Sequence, residues 1–215
     1  MTSKRQDPRG PVESGDWPER LPAHVVSPTV PCRVHGYALL DDLGRHYDFG
    51  ETVFALLTGA PPEAPWGRAV NLAFTALLAT TVADAPVHAA TLSRRATAPS
   101  RAVLAIGMLG LAEQVDVLVA QPNAEGEPDA DALTLWSLLP SEVCAALGAP
   151  SQTAERLALT VLRKAGLKSP LLLAAAVSMT RLPALAAEVA AVHPADLRGY
   201  PMRLPDFEYD GGTDE

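Results

Sequence analysis

The chain has 215 residues, of which 48% are hydrophobic and 20% are charged, a balance typical of a globular protein with one buried core. Its formal net charge of -8 argues against binding to nucleic acid or to an anionic membrane, because those partners select basic surfaces. Its two cysteines, Cys32 and Cys144, lie far apart without the spacing of zinc ligands, so we expect reduced thiols, no metal site and a cytoplasmic location.

The N-terminal part of the chain divides by composition. Residues 1–20 contain charges, glycine and proline but almost no large apolar side chain, which predicts a disordered tail. One helical domain is expected over residues 21–215. Prolines between residues 22 and 31 favour an extended lead-in, and Arg33–Tyr37 is expected to form a short hairpin or turn.

Helices are expected after this turn. Asp48 and Glu51 have the spacing of a capping box, and apolar residues recur at helical spacing from Phe49 to Leu57 until Gly59 ends the pattern. Seven further helices are predicted, at about residues 69–81, 84–96, 100–119, 131–139, 151–165, 169–180 and 183–192.

The fold class follows from what is common and what is missing in these segments. Alanine and leucine dominate, and no segment alternates apolar and polar residues as a half-buried strand does, so the sequence predicts an all-α fold. Residues 121–130 are rich in helix breakers and acids and are expected to form a linker between two half-domains. The longest apolar stretches, at 102–111 and 171–177, are too short to cross a bilayer.

One segment resembles a known family. Arg33–Pro62 reads RVHGYALLDDLGRHYDFGETVFALLTGAPP. Its R-x-x-G-Y turn, short helix and closing L-L-x-G-x-P helix resemble the N-terminal signature of the citrate synthase and citryl-CoA lyase family. Residues 72–111 are also similar to that family, the similarity weakens over 151–192, and LPDFEYDG at 204–211 resembles its closing strand. The resemblance implies a truncated citrate synthase-like helical fold with a short N-terminal hairpin or turn.

The resemblance also implies where catalytic groups belong. Such enzymes remove a proton from an acyl-CoA thioester with a carboxylate and use two histidines to polarise carbonyl oxygens. Here Ala85 stands at the first histidine position and Thr153 at the carboxylate position, and a segment matching the second histidine is missing. The nearest replacements are His88, about one helical turn from Ala85, and Glu155. The other interpretation of His88 is a structural histidine near a helix start.

Four arginines are candidates for binding a CoA phosphate or a substrate carboxylate, because a guanidinium donates paired hydrogen bonds to such groups. Arg181 matches an arginine of the family. Two further family arginines align with Leu204 and Asp206, and Arg203, adjacent to Leu204, is the possible substitute. Arg94 and Arg95 belong to the densest basic cluster, whose other interpretation is a solvated helix end. No cofactor is expected beyond a CoA thioester as a ligand or substrate.

Three functions are compatible with these observations. The first is a catalytically impaired citrate synthase-like protein that binds an acyl-CoA or a small acid, or serves as a partner subunit. Because the family is dimeric, we expect a homodimer or a heterodimer with a full-length relative. The second is an active acyltransferase or lyase that condenses an acyl-CoA with a 2-oxo acid, or cleaves the product, using His88, Glu155 and Arg181. The third is an unrelated α-helical interaction module.

Overall fold

A computed structural model describes residues 25–27, 30–80, 84–120 and 127–191. The predicted tail at 1–20 lies outside these residues, and so does much of the predicted linker at 121–130.

Three short antiparallel strands open the described part of the chain. They are β1 (Val26–Ser27), β2 (Arg33–Val34) and β3 (Tyr37–Ala38), hydrogen-bonded in that order. The turn between β2 and β3 consists of His35 and Gly36, whose φ angles of 48° and 91° both lie in the left-handed region. The hairpin predicted at 33–37 is therefore confirmed, and β1 extends it to a small sheet.

The remaining described residues are mainly helical, which confirms the all-α class. A π-helical turn at Leu39–Leu43 leads into α1 (Gly44–His46). The longer helices are α2 (Phe49–Thr58), α3 (Trp66–Leu77), α4 (Ala85–Arg95), α5 (Ser100–Ala120), α6 (Ala130–Leu138), α7 (Ser141–Leu147), α8 (Ala154–Ala165) and α9 (Pro170–Ala191).

Helix α2 begins and ends where its local signals place it. The Glu51 side chain accepts a hydrogen bond from the Asp48 backbone amide at 2.8 Å, which is one half of the predicted capping box. At the other end Gly59 adopts a φ of 92° and donates its amide to the Ala55 carbonyl at 2.9 Å. This left-handed position favours glycine, because it has no Cβ to clash with the backbone.

Two helix predictions need correction. The break expected between residues 180 and 183 is absent, and α9 runs through Pro183 as one helix of 22 residues. By length and composition alone α9 could cross a membrane, although its buried side chains pack in the protein core. The second correction is α7, a helix of 7 residues between Pro140 and Gly148 that was not predicted.

Two hydrophobic clusters form most of the core. The larger one joins α2, α3, α6, α7 and α8 to the first half of α9, where Leu173 and Val177 are fully buried. The smaller one joins α4 to the first half of α5 and to the second half of α9, where Leu185 is fully buried. Helix α5 contributes Leu111 to the smaller cluster and Val115 to the larger. Both α5 and α9 therefore run from one cluster into the other.

One side of α5 lacks a neighbour among the described residues. This helix has apolar residues around its whole circumference, and its buried side packs on α4 and α9. We call the exposed large apolar residues on this side the α5 face: Ile106, Met108, Leu109 and Val117. Leu109, one residue from the helix midpoint, is 67% exposed. An apolar surface of this kind is typical of a site that contacts another molecule.

Candidate functional site

Arg181 and Glu155 are the two candidate site residues that the fold brings together. Arg181 lies in the middle of α9, between the two hydrophobic clusters, and is only 1% exposed. Its Nη2 donates a hydrogen bond to Oε1 of Glu155, in the first turn of α8, and the two side chains form an ion pair. The predicted site residues thus meet as partners of each other.

The rest of the Arg181 guanidinium is also bound within the protein. Its Nε donates to the Leu77 carbonyl at 3.2 Å, and its Nη1 donates to Oε1 of Gln114 at 3.0 Å. Leu77 is the last residue of α3, where carbonyl groups lack helical donors and a cation is favourable. Arg181 therefore links α3, α5, α8 and α9, and it has little exposed surface with which to contact an anionic ligand.

Thr153, at the position that the resemblance would give to the carboxylate, caps a helix. It is the N-cap residue of α8, and its hydroxyl oxygen accepts a hydrogen bond from the Arg156 amide at 3.3 Å. Glu155 follows in the first turn, where a negative charge is stabilised by the helix dipole.

His88 lies apart from this network. It belongs to the first part of α4, its side chain is partly buried, and its Nδ1 is buried without a hydrogen-bond partner among the described residues. Within the described ranges, no hydrogen bond or ion pair joins His88 to Glu155 or Arg181. Ala85, at the position that the resemblance would give to the first histidine, is the exposed first residue of α4.

Two arginines of the predicted basic cluster differ in their contacts: Arg94 binds a backbone carbonyl of the protein, and Arg95 faces solvent. Arg94 donates a short hydrogen bond to the Val189 carbonyl near the end of α9, as a cation at a helix C-terminus does. It also lines a cavity of about 320 Å³ with Ser100 and Leu104 of α5. Arg95 is exposed. Arg203 lies outside the described residues.

A larger cavity of about 450 Å³ lies between α2, α3 and α9. We call it the α2–α3–α9 cavity. Its apolar wall consists of Phe49, Val53, Phe74, Leu78, Met179 and Pro183. Its polar groups are Asp48, Asn71, Thr75 and Thr180. Neither His88, Glu155 nor Arg181 lines either cavity.

No family model, curated protein or solved structure matches the chain. The similarity to the citrate synthase family therefore remains a hypothesis based on the residues quoted above.

The sequence did not predict the α2–α3–α9 cavity as a site. The sequence identifies Asp48 only as a helix cap and Pro183 only as the first residue of the helix predicted at 183–192. These two residues lie 135 positions apart in sequence (183 − 48 = 135) and line one cavity because α2 and α9 both pack beside α3. The one local signal in the sequence is a proline inside an apolar helical pattern. Proline removes a helical hydrogen bond, so the helix that forms this side of the cavity is irregular there.

Proposed function

We propose that this chain is a non-catalytic citrate synthase-like subunit that associates with a second copy of itself through the α5 face. The main support for a loss of catalysis is the Arg181–Glu155 ion pair. A general base must reach the proton that it removes, and an anion-binding arginine must reach its anion. Here Oε1 of Glu155 accepts from Arg181, so this carboxylate is held in an ion pair, and Arg181 is 1% exposed, so it has little surface with which to bind an anion.

The α5 face supports association because burying its side chains would remove large apolar groups from water. Leu109 is 67% exposed and Val117 is 53% exposed. Burying a side chain of this kind contributes roughly 1.5–3 kcal/mol when it becomes fully covered. With 21 residues, α5 is about 31 Å long at about 1.5 Å per residue, enough for a helix pair with several contact layers.

Charge complementarity favours a second copy as the occupant. Arg101 near the start of α5 is exposed, and so are two acids in its second half, Glu113 and Asp116. In a two-fold antiparallel pair centred near Leu109, Arg101 of one copy lies opposite Asp116 of the other, and symmetry repeats the contact. A parallel pair would instead place the two copies of Asp116 side by side, which is unfavourable.

Oligomeric state tests the association. We expect the full chain to sediment as a dimer and the Leu109→Asp variant as a folded monomer, with circular dichroism as the check on folding. The control is Leu171→Asp, because Leu171 is 76% exposed on α9 and lies outside the α5 face. Arg101→Asp and Asp116→Arg should each weaken the dimer, and the double swap should restore it. A wild-type monomer, or equal dissociation by Leu171→Asp, would overturn the proposal.

The non-catalytic half has a separate test. Acyl-CoA thioesters are mixed with 2-oxo acids and the protein, and release of the CoA thiol is followed. We expect no release above the blank. A rate that disappears in folded His88→Ala or Glu155→Gln protein but persists in Arg95→Met would instead favour the active enzyme.

A further inference from the structure

We propose that the α2–α3–α9 cavity binds a small hydrophobic molecule with a cationic amine head group. The cavity has a volume of about 450 Å³, within the range of roughly 300–1,000 Å³ usual for small-molecule sites. Its wall is mainly apolar, with a few polar groups at defined positions. The negative charge of the cavity and its hydrogen-bond acceptors indicate which class of ligand it binds.

Of the residues that the structure describes, the only ionisable one that lines the cavity is the acid Asp48. Asp48 is exposed, and its Oδ2 accepts a hydrogen bond from Nδ2 of Asn71 at 3.2 Å. An ionised carboxylate has about four acceptor positions, so it can accept a further donor from a ligand. Asp48 and Glu51 also cover the positive end of α2, which would otherwise attract an anion. A ligand carboxylate is therefore repelled and an ammonium group is attracted.

The hydroxyl groups of the cavity have already given their hydrogens to the protein. Thr75 donates to the Asn71 carbonyl at 2.9 Å, and Thr180 donates to the Ala176 carbonyl at 2.7 Å. Both oxygens keep acceptor capacity. In addition, Pro183 has no amide hydrogen, so the Met179 carbonyl lacks its regular helical donor. A surface supplied with acceptors matches an ammonium group, which has donors only.

The apolar wall sets the size and nature of the ligand body. Phe49 is 78% exposed and Leu78 is 44% exposed, so a ligand between them would cover surface that now faces water. The volume of about 450 Å³ equals that of about fifteen water molecules at about 30 Å³ each. An aromatic ring with a short alkyl chain fits this space.

Calorimetric titration of the full chain with three matched probes tests the ligand class. The probes are 4-phenylbutylamine, 4-phenylbutanol and 4-phenylbutyrate, which share a body and differ in the head group. We expect the amine to bind at least about tenfold more tightly than the carboxylate, with the alcohol between them, because hydrogen bonds to charged groups are the stronger ones. Equal binding of the three probes, tighter binding of the carboxylate, or no binding of the amine would overturn the proposal.

Variants locate the site. Asp48→Asn keeps a good helix cap but removes the charge, so it should weaken amine binding about tenfold and leave alcohol binding unchanged. The matched control is Asp129→Asn, which removes the same charge from the N-cap of α6, outside the cavity. Thr75→Trp, at an exposed position, should fill the cavity and abolish binding of both the amine and the alcohol. Equal effects of Asp48→Asn and Asp129→Asn, or full binding by folded Thr75→Trp, would contradict the assignment.

Ligand binding in this cavity does not depend on the proposed dimer. No residue of α5 lines the α2–α3–α9 cavity, so the Leu109→Asp variant should bind the amine with wild-type affinity whatever its oligomeric state.

Discussion

Replacing Arg181 by methionine should destabilise the protein strongly without changing its fold. Methionine keeps much of the apolar volume of the arginine stem but removes the guanidinium. Three acceptors then lose their donors: the Leu77 carbonyl, Oε1 of Gln114 and Oε1 of Glu155. Their surroundings differ, so their contributions differ.

The Leu77 carbonyl carries the largest contribution. Leu77 is 0% exposed, and leaving a buried acceptor unpaired costs about 1–3 kcal/mol. Gln114 is partly buried and adds about 1 kcal/mol. The Glu155 side chain is 34% exposed and can turn to water, so its loss adds little. The free energy of unfolding should therefore fall by about 2–4 kcal/mol, which corresponds to a decrease in Tm of about 5–15 °C.

Urea unfolding at a fixed protein concentration measures this change, since an associating protein gains stability with concentration. Glu155→Gln should also lower stability, because it leaves the buried Arg181 guanidinium without the carboxylate that balances its charge, although Arg181 keeps two hydrogen bonds. The control is Arg95→Met, the same substitution at an exposed position, with an expected effect within about 0.5 kcal/mol. A similar small effect for Arg181→Met would refute the buried network.

Three further substitutions are measured by the same urea unfolding. His88→Leu should leave stability unchanged or raise it slightly, because it removes a buried Nδ1 that has no partner; a loss above about 1 kcal/mol would show that this nitrogen is bound. Thr153→Ala should cost about 1 kcal/mol by removing the cap of α8, and Thr153→Ser should recover most of it. Gly107→Ala should be destabilising although alanine favours helices, since the new Cβ would lie 2.8 Å from the fully buried Leu185; a stabilised variant would contradict this packing.

Local signals were sufficient where a few neighbouring residues decide the structure. The beginning and end of α2 depend on Asp48, Glu51 and Gly59, and all three were recognised before the structure was known. The break predicted at Pro183 was wrong for the opposite reason. Proline removes one helical hydrogen bond, but Val177 before it and Leu185 after it are both fully buried, and their packing keeps the helix continuous.

The sequence names Glu155 and Arg181 as candidates but does not predict the contact between them. Glu155 and Arg181 were both selected, yet a pattern read along the chain could not show that they bind each other. Arg181 also binds the Leu77 carbonyl, 104 residues away, and this contact depends on how α3 and α9 pack. Thr153 had a local signal that identifies its role, because a threonine just before an acidic first turn is typical of a helix cap.

The sharing of α5 and α9 by both hydrophobic clusters has a consequence for how the protein melts. Loss of packing in the smaller cluster would leave the second half of α9 without its neighbours. Because α9 is one continuous helix, this change would also disturb its side chains in the larger cluster. Heat or denaturant should therefore melt both regions cooperatively, as one transition seen alike by calorimetry and circular dichroism.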